Sequence, residues 1–384
     1  MQESCIMQGH DLGALRRLNT VAVLQALRAG EPLTLSRLKS ATNLSRPTLE
    51  LALEDLTTRG WVAEAATGEG RSPGRPARRF RFRAEAGRVA GVDIGLHKIV
   101  LTLADLAGEV RATEREDIDP AMDGADRLDF LRQRLRRFLD DHAVRAEELW
   151  AVGVGVPGLV DEAGRIRSVI VPEWTGLDLG RRLSETFGCP VIAENDVNLA
   201  AVAEHWRGAA RLTDDVACVL AGRRAACGLL LGGRLHRGRR GGAGELGSLP
   251  HLGLASAHEA LQWQHGDKEG ESEITALVRA LESDDPEAHA VLDAYAARLA
   301  PGIAALVLAV DPDLVVISGG VTPAGQWLTP RLTTHLRDLT LHVPQIAVST
   351  LGEPGVSLGA VRTALDSVDT ILDNPTGPLP STTR

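Results

Sequence analysis

The stretch "GVDIGLHKI", residues 91–99, joins two apolar strands through a tight reversal. A buried strand ends in Asp93 and Gly95, and the chain turns at Leu96 and His97 into a second strand, "KIVLTLAD". Such a hairpin can present backbone N–H groups to an anion when its turn residues adopt positive φ. Leu96 and His97 are poorly suited to positive φ, so we predict the hairpin without an effective anion-binding turn.

The residues after this hairpin repeat one pattern of strands and helices. "EVRATERED" adds a third strand, "DRLDFLRQRLRRFLDDHAV" is predicted to be helical, and "LWAVGVGVPGLV" is a buried strand that runs into a Gly-Pro loop. Short apolar strands begin again with "VACVLAG" after Asp215. Two such rounds predict a duplicated α/β architecture with a ligand cleft between two lobes.

Length and composition favour several domains and no membrane span. A chain of 384 residues with 44% hydrophobic residues is too long for one ordinary core. It has no apolar run of about 18 residues, and its first residues lack the order of a secretory signal. Cys5, Cys189, Cys218 and Cys227 have no CxxC spacing. We expect a cytoplasmic protein without a structural metal site.

The charge is distributed unevenly along the chain. Residues 1–88 contain 14 Lys and Arg against 9 Asp and Glu, whereas residues 89–384 contain 28 against 42. A basic N-terminal part on an acidic body is typical of a nucleic-acid-binding module joined to a small-molecule domain.

The N-terminal part has the pattern of a winged helix-turn-helix. "LGALRRLNTVAVLQALRAG" is a predicted helix with an apolar face that includes Leu15, Leu18 and Leu24, and "TLSRLKSATN" is a shorter one. Ser45 can cap a third helix, "RPTLELALEDLTTRG", that ends at Gly60. The hairpin that follows has six arginines and no acidic residue between Arg71 and Arg83, which is typical of a wing that contacts DNA phosphates.

We therefore expect double-stranded operator DNA to be a partner. The exposed positions at the start of the third helix could face base edges, and the wing arginines could contact phosphates or the minor groove. The candidate DNA-binding residues are Ser45, Arg46, Thr48, Arg71, Arg75 and Arg78.

Residues from about 88 to 365 resemble the ROK family of repressors and sugar kinases, and with the winged N-terminal part the resemblance covers almost the whole chain. It is carried by five motifs in order, "GVDIG", "GVGVPGLV", "ENDVNLAA", "GGRLHRGRRGGAGELG" and "DPDLVVISGGV". The resemblance implies a duplicated, actin-like and ribonuclease-H-like sugar-kinase fold with an inter-lobe cleft. The domains would be 1–86 (winged head), 87–200 (lobe 1), 201–366 (lobe 2) and a disordered tail, 367–384.

The family resemblance also implies a sugar-binding site. Asp196 matches the general base of the kinases, and Asn195, Glu245 and Glu259 match further sugar ligands. A carboxylate beside an amide suits a polyhydroxylated ligand, because each hydroxyl both donates and accepts. Ser248 stands where the family has a histidine that binds sugar and zinc, so no zinc site is expected.

Both phosphate loops depart from the kinase pattern. Leu96 and His97 replace a Gly and a Thr of the first loop, and Arg223 and Arg224 replace the Thr-Gly of the second. Phosphoryl transfer depends on the positioning of metal-bridged phosphates, so this damage should remove most of the rate. Asp196 would then be a vestigial base, and no cofactor is expected.

The sequence thus predicts a transcriptional repressor, a homodimer or a dimer of dimers, that is controlled by a sugar or sugar-like effector. Two alternatives stay open. The chain could be an ATP-dependent sugar kinase with a regulatory head, or a DNA-binding protein with a vestigial cleft. Replacement of Asp196 by Asn distinguishes the three.

Overall fold

The computed structural model describes residues 12–65, 77–221, 225–263, 272–374, 377 and 379–382. The wing positions Arg71 and Arg75 and the second phosphate loop, 222–224, lie outside these described residues.

Residues 12–82 contain three helices and a small antiparallel sheet, which we call the head. Thr34 caps the second helix, and Asn43 ends it with φ 59°. The Ser45 hydroxyl caps the third helix by accepting the N–H of Thr48, as the sequence predicts. The elements are α1 (Leu12–Arg28), β1 (Leu33–Thr34), α2 (Leu35–Thr42), α3 (Arg46–Thr58), β2 (Val62–Ala65) and β3 (Arg79–Phe82), with the strand order β1-β3-β2.

The apolar face predicted for α1 is only partly buried. Leu24 and Leu27 are buried, whereas Leu15 and Leu18 are 52% and 39% exposed. The reason is that α1 joins the core of the head through its C-terminal half only. The predicted helix is present, and Leu15 and Leu18 lie on the part of its apolar face that is exposed.

Lobe 1 is built on a five-stranded sheet of order β10-β7-β4-β5-β6. β4, β5 and β6 follow one another antiparallel, and β7 and β10 extend the sheet parallel to β4. The elements are β4 (Arg88–Ile94), β5 (Lys98–Asp105), β6 (Val110–Asp117), α4 (Gly124–Asp141), β7 (Leu149–Val156), the hairpin β8 (Leu159–Val160) and β9 (Ile166–Arg167), α5 (Leu179–Phe187) and β10 (Val191–Asn195).

Lobe 2 repeats this topology. Its sheet has the order β13-β12-β11-β14-β15, again a three-stranded antiparallel meander extended by two parallel strands. The same connectivity in both sheets confirms the predicted duplication. The elements are α6 (Asp196–Arg207), β11 (Val216–Leu220), β12 (Ala226–Leu231), β13 (Arg234–Leu235), α7 (Ala257–Ala260), α8 (Glu273–Glu282), α9 (Pro286–Val310), β14 (Leu314–Ser318), α10 (Gly325–Arg337) and β15 (Gln345–Val348).

Helix α9, of 25 residues, is long and apolar enough to cross a membrane by length and composition alone. It packs against α7 and α10, and Leu292, Tyr295, Leu299 and Ile303 are fully buried in the core of lobe 2. Its apolar character is accounted for by this core position.

The last helix, α11 (Gly355–Leu372), returns from lobe 2 and covers the sheet of lobe 1. A Cβ on Gly91 would lie 2.1 Å from the Ser357 carbonyl oxygen, and one on Gly153 would lie 2.0 Å from that of Ala360. Only glycine permits such close backbone contact. The predicted division between residues 366 and 367 falls within this helix, so residues on both sides of it pack on lobe 1.

The described residues between 373 and 382, the C-terminal strap, bind the head. Arg59 donates to the Leu379 carbonyl oxygen at 2.6 Å, and the Trp61 indole N–H donates to that of Pro380 at 2.7 Å. Thr382 N–H donates to the Arg59 carbonyl oxygen at 2.9 Å, and Leu379 is 3% exposed. The predicted disorder of this segment is wrong for these residues, because the head supplies donors and an apolar pocket.

The head and lobe 1 share one hydrophobic core. Trp61 of the head meets Trp150 of β7 edge-on, with ring centroids 4.9 Å apart, and Leu372 and Leu379 belong to the same cluster. Arg28 of α1 forms an ion pair with Asp369 of α11. The head is thus joined to lobe 1 by apolar packing and by the strap.

Candidate functional site

The candidate site lies where β10 ends and α6 begins. Asn195 caps α6, since its Oδ1 accepts the N–H groups of Val197 and Asn198 at 3.0 and 3.2 Å. Its Nδ2 donates to the Gly158 carbonyl oxygen at 3.0 Å. The Asn195 side chain therefore fixes the turn that positions Asp196, and one amide N–H is left for a ligand.

Asp196 lies in a group of carboxylates. Burial raises the pKa of Asp196 to about 7, and the negative charges of Asp93 and Glu245 act in the same direction. Burial also raises the pKa of Asp93 to about 6, with Lys98 opposing the shift, and it raises the pKa of Glu245. Near neutral pH Asp196 can thus either donate or accept a hydrogen bond, as recognition of a hydroxyl requires.

Glu194 is a buried carboxylate that holds the turn from behind. Its Oε1 accepts the N–H of Asn195 and the Nδ2 of Asn198, both at 2.9 Å, and its other oxygen pairs with Arg237. Because Arg237 follows β13, this ion pair connects the turn to lobe 2.

The other two predicted ligands are exposed. Glu259 is exposed on α7, 3.9 Å from a guanidinium nitrogen of Arg298. Ser248 is exposed at the end of a short 3-10 turn. The structure therefore brings Asp196 and Glu245 together around the turn of Asn195, and places Glu259 and Ser248 at the surface.

The turn between β4 and β5 is closed by the protein itself. Gly95 N–H donates to the Lys98 carbonyl oxygen at 2.9 Å, and neither Leu96 nor His97 has positive φ. The backbone at these two positions therefore does not adopt the positive-φ conformation that presents N–H groups to an anion. Arg127 of α4 is fully buried and donates to the carbonyl oxygens of Gly95 and Leu96 at 2.8 and 3.2 Å.

The Lys98 side chain is occupied by a carboxylate. Its Nζ lies 3.0 Å from an oxygen of Glu353, which also accepts from Arg115 at 2.9 Å. Glu353 lies in the loop that leads into α11. Its carboxylate thus pairs with both Lys98 and Arg115 beside Asp93.

The candidate DNA-binding residues lie at the start of α3. Ser45 and Arg46 are exposed, and the hydroxyls of Ser45 and Thr48 are 2.8 Å apart. Arg46 pairs with Glu50 at 2.9 Å, and Arg78, just before β3, pairs with Glu64.

In the described parts of the chain, no group of three or more His, Cys, Asp or Glu has the geometry to hold a metal ion.

Sequence reasoning missed Arg127, although a signal was present. Arg127 occupies a position of the apolar stripe of α4, in phase with Leu131 and Leu135, and an arginine in such a stripe needs buried acceptors. The role of Glu194 had a similar signal, since it is the one charged residue of the apolar strand β10.

The two lobes have sheets of the same topology, and a cluster of carboxylates lies between them. These features define a protein of the sugar-kinase-like fold class. The chain belongs to the ROK family, whose family model matches residues 89–366.

Curated relatives include both regulators and kinases. The DNA-binding transcriptional dual regulator NagC of Escherichia coli K12 is 25% identical over 356 residues, 85% of this chain and 86% of NagC. The xylose repressor of Bacillus subtilis is 25% identical over 235 residues, 61% of each chain, so this chain spans about three fifths of that repressor. A glucokinase of Halalkalibacterium halodurans is 26% identical over 306 residues, 70% of this chain and 92% of the glucokinase.

Solved structures support the same fold. A ROK family transcriptional regulator, described as a homologue of the E. coli MLC protein, superposes with a TM-score of 0.72 at 21% identity, covering 95% of this chain and all of that one. A ROK family glucokinase from Streptomyces griseus superposes with a TM-score of 0.63 at 25% identity, covering 73% of this chain and all of the glucokinase.

Proposed function

We propose that this protein is a cytoplasmic transcriptional repressor that binds operator DNA through a winged helix-turn-helix head and responds to a sugar or sugar-like effector. One observation carries the proposal: a head with an exposed α3 shares its core with a body that keeps the Asp196 and Glu245 carboxylates. NagC matches 85% of this chain and the solved ROK regulator covers 95% of it, more than the ROK body alone.

The head would bind a major groove with the first turn of α3. Ser45, Arg46 and Thr48 lie there, and Arg46 is 75% exposed at its side chain. The proposed wing would contact phosphates through Arg71, Arg75 and Arg78. Such contacts fix the position of a protein on DNA but do not read the base sequence. A homodimer or a dimer of dimers would present two heads to paired half-sites.

The effector would bind between the lobes at Asn195, Asp196 and Glu245. The predicted ligands Glu259 and Ser248, which are exposed, would contact the effector from the segment between Leu246 and Ala260. Closure of the cleft by such a ligand shifts the balance between two lobe arrangements if the ligand binds one of them more tightly.

Loss of phosphotransfer is part of the proposal. The buried Arg127 guanidinium donates to the carbonyl oxygens of Gly95 and Leu96 in the first loop. The Glu353 carboxylate forms an ion pair with Lys98. Both contacts would oppose the approach of a nucleoside triphosphate. Transfer of its terminal phosphoryl group needs correctly positioned hydrogen-bond donors and metal ions.

The test starts with selection of duplexes from a random library by the full-length protein, followed by anisotropy titrations with and without a panel of sugars. We expect a selected duplex to bind, a sugar to change its affinity, and Asp196→Asn to weaken that sugar response while DNA affinity without sugar is kept. Failure to enrich any duplex contradicts the proposal. A full sugar response in Asp196→Asn places the effector elsewhere.

The second candidate, a sugar kinase with a regulatory head, is favoured by two observations. The pKa of Asp196 near 7 suits a general base, and a glucokinase is among the relatives. A coupled assay of ADP release with ATP, magnesium and the same sugars decides. ADP release that Asp196→Asn abolishes would establish the kinase, whereas sugar binding without ADP release supports the repressor.

A further inference from the structure

A cavity of about 820 Å³ lies between the lobes beside the candidate site. The β8–β9 hairpin of lobe 1 lines one side of it, and the loop after β13 lines the other. Four arginines line this cavity, namely Arg165, Arg167, Arg239 and Arg240.

The two segments that line the cavity are both linked to the candidate site. The hairpin begins next to Gly158, whose carbonyl oxygen accepts from Asn195. The loop continues from Arg240 through Gly241 to Glu245. Gly241 has φ 72°, and a Cβ there would lie 2.3 Å from the Val160 carbonyl oxygen, so the loop rests directly on the hairpin. The cavity and the candidate site are therefore connected through the hairpin and through the loop that leads to Glu245.

Three of the four arginines lack a carboxylate partner among the described residues. Arg165 pairs with Asp161 at 3.1 Å, whereas Arg167, Arg239 and Arg240 form no ion pair in the described parts of the chain and are exposed. The cavity has one further carboxylate, Glu162. The local charge is thus positive, on a body in which acidic residues outnumber basic ones by 14.

We propose that this cavity is a subsite for an anionic group, a phosphate or a carboxylate, carried by the small molecule that binds at Asn195, Asp196 and Glu245. The inference rests on the proposed function, because it specifies the class of effector. A guanidinium binds phosphate and carboxylate through two parallel hydrogen bonds, and a concave surface of one sign of charge concentrates ligands of the opposite sign. The effector is accordingly a charged sugar derivative, and its neutral parent lacks these contacts.

The experiment is calorimetry of the full-length protein with three matched sets of probes. These are the neutral sugars glucose, xylose and N-acetylglucosamine; their anionic relatives glucose 6-phosphate, N-acetylglucosamine 6-phosphate and glucuronate; and inorganic phosphate alone. The test variant is Arg239→Gln/Arg240→Gln. The control variant, Arg136→Gln/Arg337→Gln, removes the same charge from two exposed arginines outside the cavity.

We expect at least one anionic sugar to bind tenfold or more tightly than its neutral parent, and this preference to weaken as salt is raised. The test variant should lose the preference while its affinity for the neutral sugar stays the same, and the control variant should keep both. Comparison of glucose 6-phosphate with glucuronate identifies the anionic group.

Equal binding of neutral and anionic sugars overturns the inference, as does an equal loss in both variants. If no sugar binds but inorganic phosphate binds and the test variant alone loses it, the subsite stands and the proposed effector site fails. Loss of affinity for random duplex DNA in the test variant, with no change in sugar preference, also overturns the inference, because the arginines would then belong to the DNA-binding surface.

Discussion

At the scale of single residues, the protonation of Asp196 connects the ligand site to stability. The pKa of Asp196 is raised from 3.8 to about 7 in the folded state, so between these values the unfolded chain binds fewer protons and stability falls as pH rises. Asp196→Asn removes this cost. Urea unfolding should show the variant more stable at pH 8 by on the order of 3 kcal/mol, with little difference at pH 4.

The matched control is Asp140→Asn, which replaces an exposed carboxylate on α4. Its effect on the free energy of unfolding should not vary between pH 4 and pH 8. A pH-independent gain in Asp196→Asn would show that the gain comes from packing or hydrogen bonding instead of ionisation.

Arg127 offers a second prediction at this scale. Its guanidinium donates to four carbonyl oxygens, those of Gly95, Leu96, Asp119 and Met122. Arg127→Met leaves these acceptors unsatisfied in a buried site, so the free energy of unfolding should fall by about 2–4 kcal/mol. Arg136→Met, on the exposed face of the same helix, should change it by less than about 0.5 kcal/mol. Equal effects would mean that the Arg127 contacts contribute little.

The residue scale also shows how far the sequence can predict the site. The positions of the ROK motifs were enough to predict that the Asp196 and Glu245 carboxylates lie close together. The reason is that chain order fixes where a strand ends and the next helix begins. The position of the Glu259 side chain depends on how the segment from Leu246 to Ala260 packs, and motif position does not specify this. The backbone angles of Leu96 and His97 in their turn are likewise not specified by any residue pattern.

At the scale of elements, the C-terminal strap contributes to the stability of the head. Leu379 is 3% exposed within the head core, so Leu379→Ala should lower the free energy of unfolding by about 2–3 kcal/mol. Leu212→Ala is the control, because Leu212 is 99% exposed and its loss should be nearly neutral. A neutral Leu379→Ala would show that the strap is not bound in solution.

The sequence predicted disorder in the strap because this segment has no periodicity of its own and its partners lie more than 300 residues away.

Helix α3 carries the prediction for DNA. If Arg46 contacts a base edge, Arg46→Ala should cost about 1–3 kcal/mol on the selected duplex and relax the preference at one position. If it contacts a phosphate, affinity should fall on all duplexes and the salt dependence should decrease by about one ion. The control is Arg211→Ala, because Arg211 is exposed between α6 and β11. It should leave the affinity for DNA and its salt dependence unchanged. If Arg46→Ala also leaves them unchanged, α3 does not face DNA.

At the scale of the whole molecule, the shared core predicts coupled unfolding of the head and lobe 1. Trp150→Leu should reduce hydrogen-exchange protection in α3 as well as in β4 and β7, because Trp150 contacts Trp61 and opening one part exposes the other. Leu292→Ala, in the separate core of lobe 2, should reduce protection mainly in α9 and α10. Loss of protection in lobe 1 alone would show that the head is an independent unit.

The return of α11 to lobe 1 has a consequence for biosynthesis. The head and the first sheet leave the ribosome well before α11, the helix that covers this sheet at Gly91 and Gly153. Until α11 emerges, the nascent chain exposes an apolar face that chaperones and proteases recognise. We therefore expect the head and lobe 1 to complete their folding only after α11 has been translated, and chains that end before α11 to be degraded.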